Sequence, residues 1–249
     1  YSGYCFGNHI YWLEKYFISG WFNLIGMRKL NINSDVGEGI LCEEKLMSYL
    51  RSCSVACGGH FGDTDTMKES IGYAIKNRVL IGAHPSYPDR LNFGRRSMSI
   101  SSDDLKKSLL TQINSLKRVM NSFGLTKLDH IKAHGALYNE CVVDFDIATL
   151  YVEVVKSFVD VKIYAPYGSV VAEVAKQNGV SVDYEVFLDR NYEDDHTLVS
   201  RLKPNSMLID PNEMIYRYEM VNMDLKIKTI HNKLIDTVGD TFCIHGDTK

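Results

Sequence analysis

The chain has 249 residues, of which 45% are hydrophobic and 24% charged, with a formal net charge of -3. That size and balance suit a single folded domain such as an α/β barrel. The absence of a basic excess argues against nucleic acid or an anionic membrane surface as a partner.

Residues 1–26, "YSGYCFGNHIYWLEKYFISGWFNLIG", are aromatic-rich and have neither a basic start nor a small-residue cleavage site, so they do not read as a secretory signal. Glu14 and Lys15 break the apolar run and leave it too short to span a bilayer. Met27 opens a stretch of different character. Residues 1–26 are therefore expected to lie outside the core, with a packed N-terminal helix as the competing reading. Residues 27–249 are expected to form one domain.

From there, short apolar runs alternate with helical patterns. Strands are predicted at "KLNINSDVG" (29–37), "SCSVACGGH" (52–60), "VLIGAHP" (79–85), "HIKAHG" (130–135), "KIYAPYG" (162–168), "SVDYEVFLDR" (181–190), "SMLID" (206–210) and "TFCIHGD" (241–247). Helices are predicted over 64–77, 101–124, 146–158 and 169–179. The second has Ser102 as N-cap, two aspartates in its first turn and Gly124 as its stop. "LKIKTIHNKLIDTV" alternates around His231-Asn232 and predicts a hairpin.

Strand–helix alternation implies a parallel sheet with helical crossovers, and seven or eight strands in one domain favour a barrel over a doubly wound sheet. No GxGxxG follows the first strand and no GxxxxGK[ST] occurs, which counts against dinucleotide-binding and P-loop folds. The six cysteines show no CxxC and no disulfide-framework spacing, so free buried thiols in a reducing cytoplasm are expected.

The strand tips carry the functional signal. They present Asp35 and Glu38, His60 and Asp63, His84 and Asp89, His134, Asp189 and Arg190, and His245 and Asp247; only the fifth, at Tyr167-Gly168, has no ionisable group. A parallel barrel gathers all such tips on one face. Taken singly each has an ordinary explanation, Asp63 as a helix N-cap among them, but together they point to a site. In "CGGHFGD" (57–63), Gly58 and Gly59 read as bare backbone that lets a ligand approach. Two chemistries fit. Asp35, His60 and His134 offer a set for a divalent metal, Mg2+ or Zn2+, and the same residue types suit general acid–base catalysis. Either leads to hydrolysis of a carbonyl or phosphoryl compound. No GxSxG elbow exists, and Cys57 is a weak candidate nucleophile because it and its strand neighbours point to opposite faces.

The motifs "NSDVGEG", "VACGGHFGD", "IGAHPSYPD…FGRR", "IKAHGALYN", "EVFLDRNYEDD…LVSR" and "CIHGD" occur in an order that resembles the LamB/YcsF family, the 5-oxoprolinase A-subunit proteins. The likeness runs from about Lys29 to Asp247. It implies an irregular, seven-stranded TIM-like (β/α) barrel similar to the glycoside hydrolase and deacetylase barrels. It also implies ATP-dependent opening of 5-oxo-L-proline to L-glutamate, with two further subunits related to allophanate hydrolase. Carried over by position, the implied site comprises Asp35, Glu38, His60, Asp63, His84, Asp89, Arg95, Arg96, Lys132, His134, Asn139, Asp189, Arg190, Tyr192, His245 and Asp247. Asp35 or Glu38 is expected as base, the histidines as proton donors or lactam holders, and Lys132, Arg95, Arg96 and Arg190 as partners of phosphate or carboxylate. With no P-loop, ATP is expected in another kind of site or on the partner subunits.

The chain departs from the family at Ala133, usually Pro, at Gly59-His60-Phe61, commonly Phe-His-Ala, and at Asp194-Asp195-His196, usually an Asp-Gly turn. It also ends at Lys249, where the family usually continues into a closing helix. The alternatives are a stand-alone metal-dependent deacetylase of N-acetyl sugars and a non-enzymatic carbohydrate or lactam binder.

Overall fold

A computed structural model describes residues 31–245. The expected extension over 1–26, the expected missing closing helix and Asp247 lie outside the described residues.

Seven parallel strands form a closed barrel: β1 (Ile32–Val36), β2 (Ser52–Ala56), β3 (Leu80–His84), β4 (His130–Ile131), β5 (Lys162–Ala165), β6 (Val182–Phe187) and, last in the chain, β9 (Thr241–Cys243). β9 pairs with both β6 and β1 and so closes the ring. Between β6 and β9 lies the predicted hairpin, β7 (Lys226–Lys228) and β8 (Leu234–Asp236), paired antiparallel outside the barrel. Asn232 takes a left-handed φ of 62° in its turn, a conformation asparagine tolerates.

The helices are α1 (Glu43–Met47), α2 (Thr64–Asn77), α3 (Ser102–Ser122), α4 (Gly135–Val143), α5 (Phe145–Lys156), α6 (Val170–Gln177) and α7 (Pro211–Asp224). All four predicted helices are present. The cap of α3 is Ser101 rather than Ser102, because the Ser101 side chain accepts from the Asp104 N–H. Sequence reading missed α1, α4 and α7. It also placed a strand over 206–210, which the structure overturns. β6 and β9 already pair with each other, so the barrel has no edge left for that segment. Met207 makes only an isolated bridge to Arg190, and Asp210 caps α7, with Pro211 opening its first turn.

Among the described cysteines, Cys53, Cys57, Cys141 and Cys243 are free and buried, whereas Cys42 is disulfide-bonded. No helix among the described residues is long and apolar enough to cross a membrane.

Side chains alternate across each strand, so one set packs on the helices and the other fills the barrel. Cys53, Val55, Ile81, Ala83, Ile131 and Ile163 belong to the apolar core. The barrel interior, by contrast, is polar. Ser54 Oγ lies 3.1 Å from His130 Nε2, and His130 Nδ1 lies 3.1 Å from Asp129 Oδ2. Tyr164 stacks on His130 at 3.8 Å, and its hydroxyl meets Ser52 Oγ at 3.0 Å. This serine–histidine–aspartate series has the order of a nucleophilic triad, but Ser54 and His130 are both 0% exposed. No substrate reaches them, and the series serves packing. Gly82 makes room for it, since a Cβ there would sit 2.2 Å from His130 Nε2. Gly82→Ala should therefore destabilise the chain by at least about 1–3 kcal/mol, the usual cost of overpacking a core. A wild-type urea midpoint for this variant would show that the ring moves aside freely.

Candidate active site

The same alternation builds the site. Asn33 and Asp35, Gly82 and His84, Lys132 and His134, Glu185 and Asp189, and Cys243 and His245 are pairs spaced two or four residues apart, climbing the barrel interior toward the strand tips. Past the end of β4, the Lys132 N–H donates to Ala83 O and the His134 N–H to Pro85 O, each at 2.9 Å. That ladder keeps both side chains facing inward.

Lys132 is the centre of the lower layer. It is 1% exposed. Its Nζ stands 2.9 Å from Asp35 Oδ1 and 2.8 Å from Glu185 Oε1, and 3.2 Å from Cys243 Sγ. Burial alone would lower its pKa, but Asp35, Cys243 and Glu185 hold it well above the ordinary lysine value. Asp35 shows the converse. Burial would raise it, yet His84, Lys132 and His245 keep it well below the usual carboxylate range.

Glu38 is placed by a turn. Gly37 has φ +72°, its N–H donates to Glu43 Oε2 at 2.7 Å, and the Ser70 hydroxyl donates to the other Glu43 oxygen. Burial raises the Glu43 carboxyl. Glu38 Oε1 then meets His60 Nε2 at 2.8 Å, His134 Nδ1 at 3.4 Å and His84 Nε2 at 3.8 Å. The His60 and His134 rings stack at 3.6 Å, nearly parallel.

Two carbonyls fix the proton positions on the other rings. His84 Nδ1–H donates to Lys132 O and His134 Nε2–H to Phe93 O, both at 2.9 Å. Burial, reinforced by the two neighbouring imidazoles, pushes His134 well below the ordinary histidine value, and burial also lowers His60 despite Glu38. His84 opposes the same burial with Asp35, 3.2 Å from its Nε2, and ends raised.

The last element is a dyad. Asp189 is 0% exposed; its carboxylate accepts from the His245 backbone N–H and lies 2.9 Å from His245 Nδ1. His245 Nε2 points toward Asp35 Oδ2, 3.5 Å away. Asp35, Glu38, His84, Lys132, His134 and His245 all border one cavity of about 650 Å3.

The remaining predicted residues divide. Arg95, Arg96, Asn139 and Arg190 also line the cavity. Arg190 nonetheless donates to the Val199 and Ser206 carbonyls, which props the loop after β6, and Lys132 is occupied by Asp35 and Glu185. Asn139 exchanges hydrogen bonds with the Leu198 backbone in both directions. Three residues do not join the site. Asp63 is the exposed cap of α2, in a capping box with Thr66. Asp89 closes its own loop by accepting from Asn92. Tyr192 is buried, with its hydroxyl accepting the Phe187 N–H.

Two further expectations change. Gly59 is packed tightly, because a Cβ there would strike Gln112 and Ser86 at 2.3 and 2.4 Å, whereas Gly58 has only Gly62 O at 4.0 Å, and both glycines line a second cavity of about 470 Å3. His60 and His134 group with Glu38 and His84 rather than with Asp35, which falls in a second group with Cys243 and His245. Sequence reading missed Glu185 and Cys243. The available signal was the two-residue spacing of Asp183, Glu185 and Phe187 in a strand expected to be buried. Cys57 is no nucleophile: burial lifts its thiol to about 12.

A model of the LamB/YcsF family matches residues 30–249. The chain belongs to the LamB/YcsF family. Among its members, the 5-oxoprolinase A subunit of Campylobacter jejuni is 40% identical over 227 residues, with 89% of each chain covered. The Pyrococcus horikoshii protein of the same name is 37% identical over 225 residues, with 88% of each covered. The crystal structure of a lactam utilization protein from Thermus thermophilus superposes with a TM-score of 0.80 and 30% identity, covering 89% of this chain and 92% of that one. A putative cellobiose-phosphate cleavage protein from Enterococcus faecalis, 13% identical with a TM-score of 0.51, shares the fold alone.

Within this family barrel, Lys132→Met should destabilise by about 3–5 kcal/mol, since it strands two buried carboxylates. Asp35 has its pKa depressed on folding, so the stability it contributes is present above the ordinary carboxylate range and lost as pH falls below it. Asp35→Asn should lower stability near pH 7 and flatten the acid limb of a stability–pH profile. Parallel acid limbs for the two proteins would refute this linkage.

Proposed function

We propose that the chain is the lactam-opening component of a 5-oxoprolinase, converting 5-oxo-L-proline to L-glutamate with activation by ATP. The observation that carries this reading is the Asp189–His245 dyad beside the Asp35–Lys132 pair, facing one cavity of about 650 Å3. The names of the relatives, lactam utilization protein and 5-oxoprolinase A subunit, supply the substrate class. A protein named as one subunit points to a complex, for which two partners related to allophanate hydrolase are the candidates.

The chemistry follows from the residues. A five-membered lactam is a stable amide, and phosphorylation of its oxygen by ATP makes its carbon electrophilic. His245, oriented through Nδ1 by Asp189, takes a proton from water at Nε2 as the oxygen adds to that carbon. The same imidazolium returns the proton to the ring nitrogen as the C–N bond breaks. This leaves the free amine and a γ-acyl phosphate, which a second water converts to carboxylate and phosphate. Asp35, pinned ionised, is too weak a base for the first step and instead stabilises the imidazolium at His245. The cationic Arg95 and Arg96 at the cavity wall suit an anionic substrate. The demand for ATP fits a cytoplasmic setting.

Reconstitution with the two partners should release glutamate from 5-oxoproline only when ATP is present. His245→Ala should lower kcat by about 10²–10⁴-fold, the usual worth of general acid–base catalysis, with the fold retained by circular dichroism. Release of no glutamate from any combination would overturn the reading.

A further inference from the structure

We propose that Glu38, His60, His84 and His134 bind a divalent transition-metal ion, zinc first among them, at the floor of the cavity. The inference goes beyond lactam opening, since the Asp189–His245 dyad needs no ion.

The first argument is distance. The four donor atoms all lie within 4.8 Å of one another. Glu38 Oε1 is 2.8 Å from His60 Nε2, 3.4 Å from His134 Nδ1 and 3.8 Å from His84 Nε2, and the last two nitrogens are 2.9 Å apart. Ligands at about 2.0–2.1 Å from a tetrahedral zinc are separated by about 3.3–3.4 Å. The four separations straddle that value and all six stay within 4.8 Å, so the ion is admitted once the His60 ring turns out of its parallel stack on His134.

The second argument is orientation. Each of two rings spends its outer N–H on a backbone carbonyl, His84 on Lys132 O and His134 on Phe93 O. Histidine ligands are aimed at metals in this way. The inner nitrogens then face each other with lone pairs across 2.9 Å, an arrangement that requires a cation between them. A proton satisfies those two atoms alone, whereas a metal satisfies them together with His60 and Glu38. Gly94 packs so closely that a Cβ there would meet His60 Cβ at 3.0 Å and His134 Cδ2 at 3.1 Å, which confines both rings at the site.

The third argument is ligand chemistry. Three imidazoles and one carboxylate suit zinc and its neighbours better than magnesium, which prefers oxygen ligands. Glu38, His84 and His134 border the cavity, so a fifth ligand beyond the four protein donors would reach the ion from that side. An ion there supplies Lewis acidity to a carbonyl oxygen or a bound water.

The test uses the full chain, expressed in zinc-supplemented medium and purified without a metal-affinity tag. Mass spectrometry of its metal content should find about one zinc per chain, the stoichiometry of a single site. His84→Ala and His134→Ala should each lose that ion, and His245→Ala should keep it. Because either cluster variant is exposed to misfolding, a second measurement uses wild-type protein stripped by chelator. Zinc chloride should titrate into it with saturable heat, and cobalt chloride should give visible ligand-field bands. Stripped, folded protein that takes up neither zinc nor cobalt overturns the proposal. A bound ion without glutamate release would sink the lactam-opening reading and leave this site standing. Full glutamate release by stripped protein that takes up no ion would do the reverse.

Discussion

A buried lysine ammonium governs this barrel. Lys132 stands almost fully buried among Asp35, Glu185, Asn33 and Cys243, with two carboxylates within 2.9 Å. Such a charge is tolerated only when its counter-ions are fixed, because the cost of removing an ion from water exceeds an imperfect Coulomb gain. The pairing therefore dictates the geometry of three strands at once. β1 contributes Asp35, β6 contributes Glu185, and the extension of β4 contributes the lysine. A hydrophobic filling of the same volume would hold a barrel together equally well, but it would not leave Asp35 ionised at the cavity floor.

From that fixed carboxylate the electrostatics divide the cavity floor into two parts. On one side Asp35 raises His84 against the effect of burial, while burial lowers His60 and His134. On the other, Asp189 orients His245 through its own backbone and ring. Imidazoles a few ångströms apart are thus shifted in opposite directions because only His84 has Asp35 close enough to offset its burial. This is how a set of identical side chains acquires separate roles.

The glycines around the site serve packing as much as approach. Gly59 is filled by Gln112 and Ser86, Gly82 by the His130 ring, and Gly135 by the Gly94 carbonyl, which a Cβ would meet at 2.4 Å. At these three positions bare backbone is explained by neighbours of the same chain. The polar interior below the site shows the same economy, since Ser54, His130 and Asp129 satisfy one another, with Lys162 3.8 Å from the Asp129 carboxylate.

The sequence by itself determined the parallel αβ alternation, the closed barrel and the collection of His, Asp and Glu residues at strand tips, because these rest on local periodicity and on a topology that brings all tips to one rim. It also marked the hairpin around His231-Asn232 and four of the seven described helices. Only the tertiary structure decided which tip residues meet. Asp63 and Asp89 look like site residues in the sequence, yet each satisfies its own local backbone or side-chain partners and leaves the cavity. Glu185 and Cys243 look like interior strand positions, yet Glu185 supplies the second carboxylate to Lys132 and Cys243 Sγ accepts from its ammonium. The regrouping of His60 and His134 with Glu38 and His84 was equally beyond sequence reading. Strand-to-strand register fixes those distances, and register is a property of paired backbones that no single stretch of residues carries.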